Sequence, residues 1–270
     1  VTALPRRRWQ DMTSADFTAL DVDGTVAILP IGAIEQHGPH LPVYVDACIN
    51  AELLDRVLAA APAELAITAL PLQAVGKSDE HLAFPGTLAL SAETLTRVCL
   101  ELGASVHRAG IRKLVLLNSH GGQPQIMDIV ARELRVRHKM FAVNVAWQAL
   151  RAPSGMFSAA ELQHGIHGGE LETSLMLHLR PDLVRMDLAD DFVSLSHTMA
   201  DEYRWLTPEG RIGFGWQTQD LNPAGACGNA RAATAEKGRA IAESAVANMI
   251  ELLAEVARYP LDRIVDREPG

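Results

Sequence analysis

The sequence predicts a single-domain α/β fold over residues 1–270, with a mostly parallel central sheet and helices on both faces. Three observations carry this. Strand-sized apolar runs alternate with helix-sized amphipathic ones, the order that builds βαβ units. The strand runs are apolar throughout rather than alternating, as expected of strands covered on both faces. No internal repeat or composition break divides the 270 residues, a length that one large domain can fill.

The elements follow in order. Residues 26–34 are a continuous apolar run emptying into a Gly/Pro-rich loop. Residues 47–61 have helical periodicity, with Leu53, Leu54, Val57 and Leu58 on one face. Residues 65–75 read as β, then a polar loop, residues 76–81, leads to Phe84-Pro-Gly-Thr87. Residues 91–108 form a helix whose Ser-Ala-Glu-Thr opening suits an N-cap. Residues 113–117 are a short buried strand, 124–138 a helix, 141–147 a strand and 169–179 a helix. Residues 230–258 make a long closing helix. Residues 185–228 are the least regular part, expected as an insertion or lid over a site.

Composition excludes several classes. Apolar residues are 48% of the chain, enough for a substantial core. A formal charge of −9 with no long basic run argues against a nucleic-acid groove. Arg6-Arg-Arg8 is short and reads as a solvated tail. The apolar runs are too short to span a bilayer, and the first six residues contain no apolar signal region. Three scattered cysteines (Cys48, Cys99, Cys227) make neither a disulfide framework nor a zinc knot. The expectation is a cytoplasmic protein with a small-molecule substrate and no nucleic-acid or membrane partner.

The chemistry lies in three clusters. The first is Ile31-Gly-Ala-Ile-Glu35-Gln-His37-Gly-Pro-His40-Leu-Pro-Val-Tyr-Val-Asp46. A buried strand followed by oxygen and nitrogen donors suits a divalent transition metal at an open sheet edge. Residues two apart in extended backbone point the same way, so Glu35 and His37 face one site. Asp46 lies beyond a loop stiffened by Pro39 and Pro42, placed to return to it. The second cluster, Asn118-Ser-His120-Gly121-Gly122, again follows a buried strand, and ligands of open α/β sheets gather beyond the strands' carboxyl ends. The third is His164-Gly-Ile-His167-Gly-Gly-Glu170-Leu-Glu172-Thr-Ser174. There, acids in the first helical turn either complement the helix dipole or, with the preceding histidine, supply a ligand and a base.

Together with Glu80-His81-x-x-Phe84-Pro-Gly-Thr87 and Ala233-Thr-Ala-Glu236-Lys-Gly238, these segments resemble the creatininase (creatinine amidohydrolase-like) family, in family order and over nearly the whole chain. The resemblance implies a homohexamer with two divalent ions per chain (Zn, Mn or Fe) that hydrolyses C–N amide bonds. By matched motif, Glu35, Asp46 and His120 would hold one metal, and His37 with the shared Asp46 the other. His167 would be the proton shuttle, and Glu172 a metal ligand or a catalytic partner beside it. Ser78, Gly121 and Gly122 would touch substrate, and Trp216 is a further candidate among Trp147, Trp205 and Phe214.

Two departures bear on substrate. Where creatininase proper has a tyrosine and a metal-binding glutamate, this chain has Gly121 and Gly122, so one ion lacks a ligand that Glu172 or water would replace. Gln163 and His164 stand where creatininase has a tryptophan and an aspartate. The resemblance is therefore to a non-creatinine branch, acting on a small amide, formamide or cyclic amide. The alternatives are a hydrolase or isomerase of a keto-inositol or sugar derivative, or a peptidase that trims a cofactor-precursor peptide.

Overall fold

A computed structural model describes residues 4, 6–150, 152–210 and 212–265. Residues 1–3 and 5, on which the reading of the N-terminus partly rests, lie outside them. Four parallel strands, β1 (Val26–Ile31), β2 (Ile67–Ala69), β3 (Lys113–Asn118) and β4 (Phe141–Ala146), form one sheet in the order β2-β1-β3-β4. A short α1 (Ser14–Thr18) precedes them, and α2 (Val45–Ala60), α3 (Ala92–Arg108) and α4 (Pro124–His138) make the crossovers. The chain continues through α5 (Ala159–His164), α6 (Glu170–Leu179), a two-residue β5 (Asp191–Phe192), α7 (Leu195–Glu202), α8 (Thr218–Leu221) and β6 (Gly228–Asn229), which pairs antiparallel with β5. It closes with α9 (Ala235–Arg258). This is the single α/β domain the alternation predicts.

Continuous apolar strands hide a two-residue period. Ala27, Leu29, Ile31, Leu114 and Leu116 point to one face, against Leu95, Cys99 and Val106 of α3 and Met127, Val130 and Leu134 of α4. Val26, Ile28, Val115 and Leu117 point to the other, against Leu53 and Val57 of α2, Met176 of α6 and Met249 and Leu253 of α9. Each such fully buried aliphatic side chain contributes about 1.5–3 kcal/mol of transfer free energy. No helix among the described residues is long and apolar enough to cross a membrane. The three cysteines are unpaired and buried.

Three elements depart from expectation. Only Ile67–Ala69 of residues 65–75 is strand, because Pro71 has no N–H and breaks the ladder. The chain rejoins β1 at Gln73, whose N–H donates to Pro30 O at 3.0 Å. Helix α2 starts two residues before the expected position 47, so Asp46 belongs to its first turn. The closing helix begins at Ala235, after a turn of 3₁₀ helix at Ala230–Ala232, where Thr234 caps it by accepting from Lys237 N–H. Every loop that leaves the carboxyl end of a long strand points to the same side of the sheet, and the site lies there.

Candidate metal centre

Four elements meet beyond β1 and β3. The β1 loop brings Glu35 and His37, the first turn of α2 brings Asp46, the β3 loop brings His120, and the start of α6 brings Glu172 with His167 just before it. Glu35, His37, Asp46 and His120 are each at most 3% exposed. His37 Nε2 lies 3.8 Å from Glu35 Oε1, 3.7 Å from Asp46 Oδ2 and 3.8 Å from Glu172 Oε2. His120 Nδ1 lies 3.1 Å from Glu35 Oε1 and 4.0 Å from Asp46 Oδ2.

The imidazole tautomers follow from the hydrogen bonds. His37 Nδ1–H donates to Glu35 O at 3.0 Å, leaving Nε2 as a lone pair aimed at three carboxylates. His167 Nε2–H donates to Gln36 O at 2.7 Å, leaving Nδ1 toward Glu35 Oε1, 3.7 Å away. The Gln36 amide donates to Gly225 O and to His81 Nδ1, so His81 presents its Nε2–H to Glu35 Oε1 at 3.5 Å.

His37 Nε2 and Asp46 Oδ2 are buried polar atoms without a hydrogen-bond partner. Such atoms are costly unless something satisfies them. Three donor sets lie within ligating distance of one another: Glu35, His37 and His167; Glu35, Glu80 and His120; and His37, Asp46 and Glu172. Two buried His/carboxylate clusters sharing one cavity fit a binuclear site for divalent ions with mixed N and O ligation.

The electrostatics agree. Burial, with Glu35 and Glu172 adding like charge, holds the Asp46 carboxyl well above its ordinary value, and burial raises Glu172 too. For Glu35 burial acts upward, but the imidazoles of His120, His81 and His37 outweigh it and hold the carboxyl well below. His120 is opposed by burial, yet Glu35, Glu80 and Asp46 hold it well above the usual histidine range. A proton on His120 and a divalent cation would therefore compete for the same carboxylates. Burial lowers His37 and His167 to about 4 and His81 to about 2, leaving all three neutral at pH 7.

Glu80, His81 and Gln36 are the site residues that sequence reasoning did not assign. Glu80 Oε1 sits 3.1 Å from His120 Nε2, on the ring edge away from Glu35, while Lys77 Nζ donates to Oε2 at 2.7 Å. A carboxylate behind a histidine fixes its tautomer and raises its basicity as a ligand. Gly122 makes this contact possible: a Cβ there would stand 1.5 Å from Glu80 Oε1 and 2.5 Å from His120 Nε2. The signal available in the sequence was the acidic, histidine-bearing loop at 76–81, following a strand at the same sheet edge.

Ser78, expected against substrate, is fully buried, and its hydroxyl donates to Glu35 Oε2 at 2.6 Å. Gly121 and Gly122 border the cavity, and a Cβ on Gly121 would meet open space. Trp216 and Phe214 line the cavity as well, while Trp147 is core and Trp205 is 64% exposed. The cavity measures about 560 Å³, with residues 208–210 and 213–216 forming its outer wall. From residues 185–228, that wall reaches the cavity, while Gly225 O and Thr218 Oγ1 reach Gln36 and His81 from behind.

The turn at 165–169 is held from behind. Gly168 has φ +61° and donates its N–H to Glu172 Oε2 at 2.6 Å, which ties His167 to Glu172. The N-terminus of α6 is capped by Glu161, whose carboxylate accepts from Glu170 N–H at 2.7 Å and Asn229 N–H at 2.8 Å. Behind His37, His40 Nε2 lies 2.9 Å from Thr173 Oγ1.

The creatininase family profile, described as creatinine amidohydrolase, matches residues 10–253. The chain belongs to the creatininase family. It is 30% identical over 233 residues to the mycofactocin precursor peptide peptidase of Mycobacterium ulcerans, covering 84% of each chain. It is 30% identical over 251 residues to the creatinine amidohydrolase of Pseudomonas putida, covering 85% of this chain and 89% of that one. Among solved structures, a manganese creatininase superposes with a TM-score of 0.71 at 26% identity, covering 92% of this chain and 98% of the other. A creatininase mutant of Zn–Zn type gives 0.72 at 26%, covering 94% and 98%. Metal-bound creatininases thus share this fold, and this creatininase-family chain carries the donor clusters for a two-metal site.

Proposed function

We propose that this chain is a binuclear metal-dependent amidohydrolase that cleaves an amide C–N bond in a substrate larger than creatinine. The observation that supports it best is the convergence of unpartnered buried nitrogen and oxygen atoms on one cavity at the sheet's carboxyl edge. Glu35, Asp46 and His120 would hold one ion, and His37, Asp46 and Glu172 the other, Glu172 standing in for the ligand absent at Gly122. Two ions of Zn, Mn or Fe in these positions would supply Lewis acidity, making water nucleophilic near neutral pH and polarising the carbonyl.

The chain's own residues do the rest. Gln36 O keeps the proton of His167 on Nε2, so Nδ1 is the acceptor that faces the cluster. From there His167 takes a proton and returns it to the leaving nitrogen. Glu80 and Ser78 orient His120 and Glu35. The Gly121 and Gly122 N–H groups border the carbonyl's place and are assigned to its developing negative charge. The open space at Gly121 favours a bulky substrate, in line with the peptidase relative, whose bond is also a C–N amide. Homohexamer assembly and a cytoplasmic setting belong to the same proposal. Exposed Leu162, Val193, Leu195 and Trp205 offer apolar surface for such an assembly.

The test is elemental analysis of protein purified without added metal, with amine release measured from a panel of amides, formamides and dipeptides. About two metals per chain with amine release is the expected result. Metal without C–N cleavage, or turnover of a keto-cyclitol without nitrogen release, would overturn the amidohydrolase assignment.

A further inference from the structure

Gln123 stands at the N-cap of α4, yet its side chain makes no bond to that helix's first turn. Glutamine is not a capping side chain, and Pro124 at the first helical position serves the helix start instead. The Gln123 amide is fully buried and turns into the loops at the sheet's carboxyl edge. Its NH2 group donates to Gly32 O at 3.1 Å, just beyond β1, and to Asn118 Oδ1 at 2.9 Å, at the end of β3. Its Oε1 accepts from Lys77 N–H at 3.0 Å, in the 76–81 loop. Gly76 makes room for it: a Cβ there would stand 2.4 Å from Gln123 Oε1 and 2.5 Å from Gly32 O.

Each bond leads to a proposed metal donor. Asn118 passes the constraint to His120, accepting its N–H at 3.0 Å and donating to its carbonyl at 2.7 Å. The 76–81 loop carries Ser78 to Glu35 Oε2 and Glu80 to His120 Nε2. Gly32 is the base of the loop that bears Glu35 and His37. Two of the three branches therefore end on Glu35 or His120, and none ends on Glu172, which is held separately by Gly168 N–H. A buried amide paired at both ends stiffens what it joins, because moving any one loop leaves a polar group unsatisfied.

We infer that Gln123 is a positioning residue for the Glu35–Asp46–His120 ion position, selectively over the His37–Asp46–Glu172 one. It acts by fixing the spacing of the loops that supply and support Glu35 and His120. This rests on the two-metal reading of the cluster. Gln123 itself hydrogen-bonds to no donor side chain and lies outside the lining of the donor cavity.

The experiment measures zinc affinity by chelator competition in three backgrounds. These are wild type, His37→Asn, which retains the Glu35–Asp46–His120 position, and His120→Asn, which retains the other. Gln123→Met, similar in length but without hydrogen bonds, is introduced into each. Gln123→Glu, which keeps the acceptor for Lys77 N–H and loses both donors, is measured beside it in case the first variant does not fold. Leu134→Ala, on the buried face of α4, controls for general loosening of that helix. Both Gln123 variants should weaken zinc roughly 10- to 100-fold in the His37→Asn background and less than about twofold in the His120→Asn one. Leu134→Ala should change neither. Equal weakening in the two backgrounds, or weakening in neither, would overturn the positioning role. Selective weakening in a chain that releases no amine from any amide would support that role and overturn amide hydrolysis instead. A wild type that binds no zinc would overturn the metal reading and this role together.

Discussion

The loops leaving β1 and β3 and residues 208–210 and 213–216 line the same cavity, yet they are built in opposite ways. In the first, Glu35, His37 and His120 are almost wholly buried, and each is held by a named neighbour: Ser78 on Glu35, the Glu35 carbonyl on His37, Glu80 on His120. In the second, Phe214 is 37% and the intervening Ile212 52% exposed, and the main side-chain tie is Trp216 Nε1–H donating to Pro208 O at 3.0 Å. Chemistry needs donors fixed to fractions of an ångström, and only packed, hydrogen-bonded elements supply that. Recognition tolerates looser walls, and the segment with least regular structure is the one that borders the cavity from outside.

The largest effect that would break this contrast lies on the buried side. Asp46 stands between both proposed metal positions, so Asp46→Ala should empty both and lower turnover by roughly 10⁴-fold or more. Elemental analysis and amide turnover of the variant check it. Retained metal with near-normal turnover would show that the donors are not organised around Asp46.

How much of this was legible in sequence follows the same contrast. Glu35, His37 and His120 could be read because donor residues sit next to the buried strands that position them. Asp46 was legible as a donor but not as a helical one, since Val45–Ala60 begins earlier than its apolar periodicity suggests. Glu80 was not assignable, because its role depends on one contact across 40 residues of chain and on the missing Cβ of Gly122. Ser78 reads in sequence as a substrate contact, and in the fold its hydroxyl donates to Glu35 Oε2. The tryptophans were least legible. Trp147 is core, Trp205 exposed and Trp216 at the cavity, and nothing local to each residue distinguishes those fates.

A middle-sized effect sharpens the contrast by asking how tightly the buried side is supported. Gly122→Ala would place a Cβ 1.5 Å from Glu80 Oε1, forcing that carboxylate off His120. Loss of such a supporting carboxylate typically costs about 10- to 100-fold in metal affinity. Chelator competition should show that loss in Gly122→Ala and a smaller one in Glu80→Gln, whose amide oxygen can still accept from His120 Nε2–H. Wild-type metal affinity in Gly122→Ala would mean that His120 needs no carboxylate behind it.

The smallest effect belongs to the outer wall. Trp216→Ala removes a half-buried ring from the cavity and the hydrogen bond to Pro208 O, but touches none of Glu35, His37, Asp46 or His120. Its stability cost should stay under about 1 kcal/mol, as for other lightly packed sites. Metal content should be unchanged. If residues 208–210 and 213–216 hold substrate equally in ground and transition states, KM rises by up to about tenfold and kcat stays put. A fall in kcat at constant KM would instead mean that the wall contributes to the reacting geometry itself. The division between a rigid chemical floor and a tolerant recognition wall would then fail at Trp216, the residue where the two regions meet across the cavity.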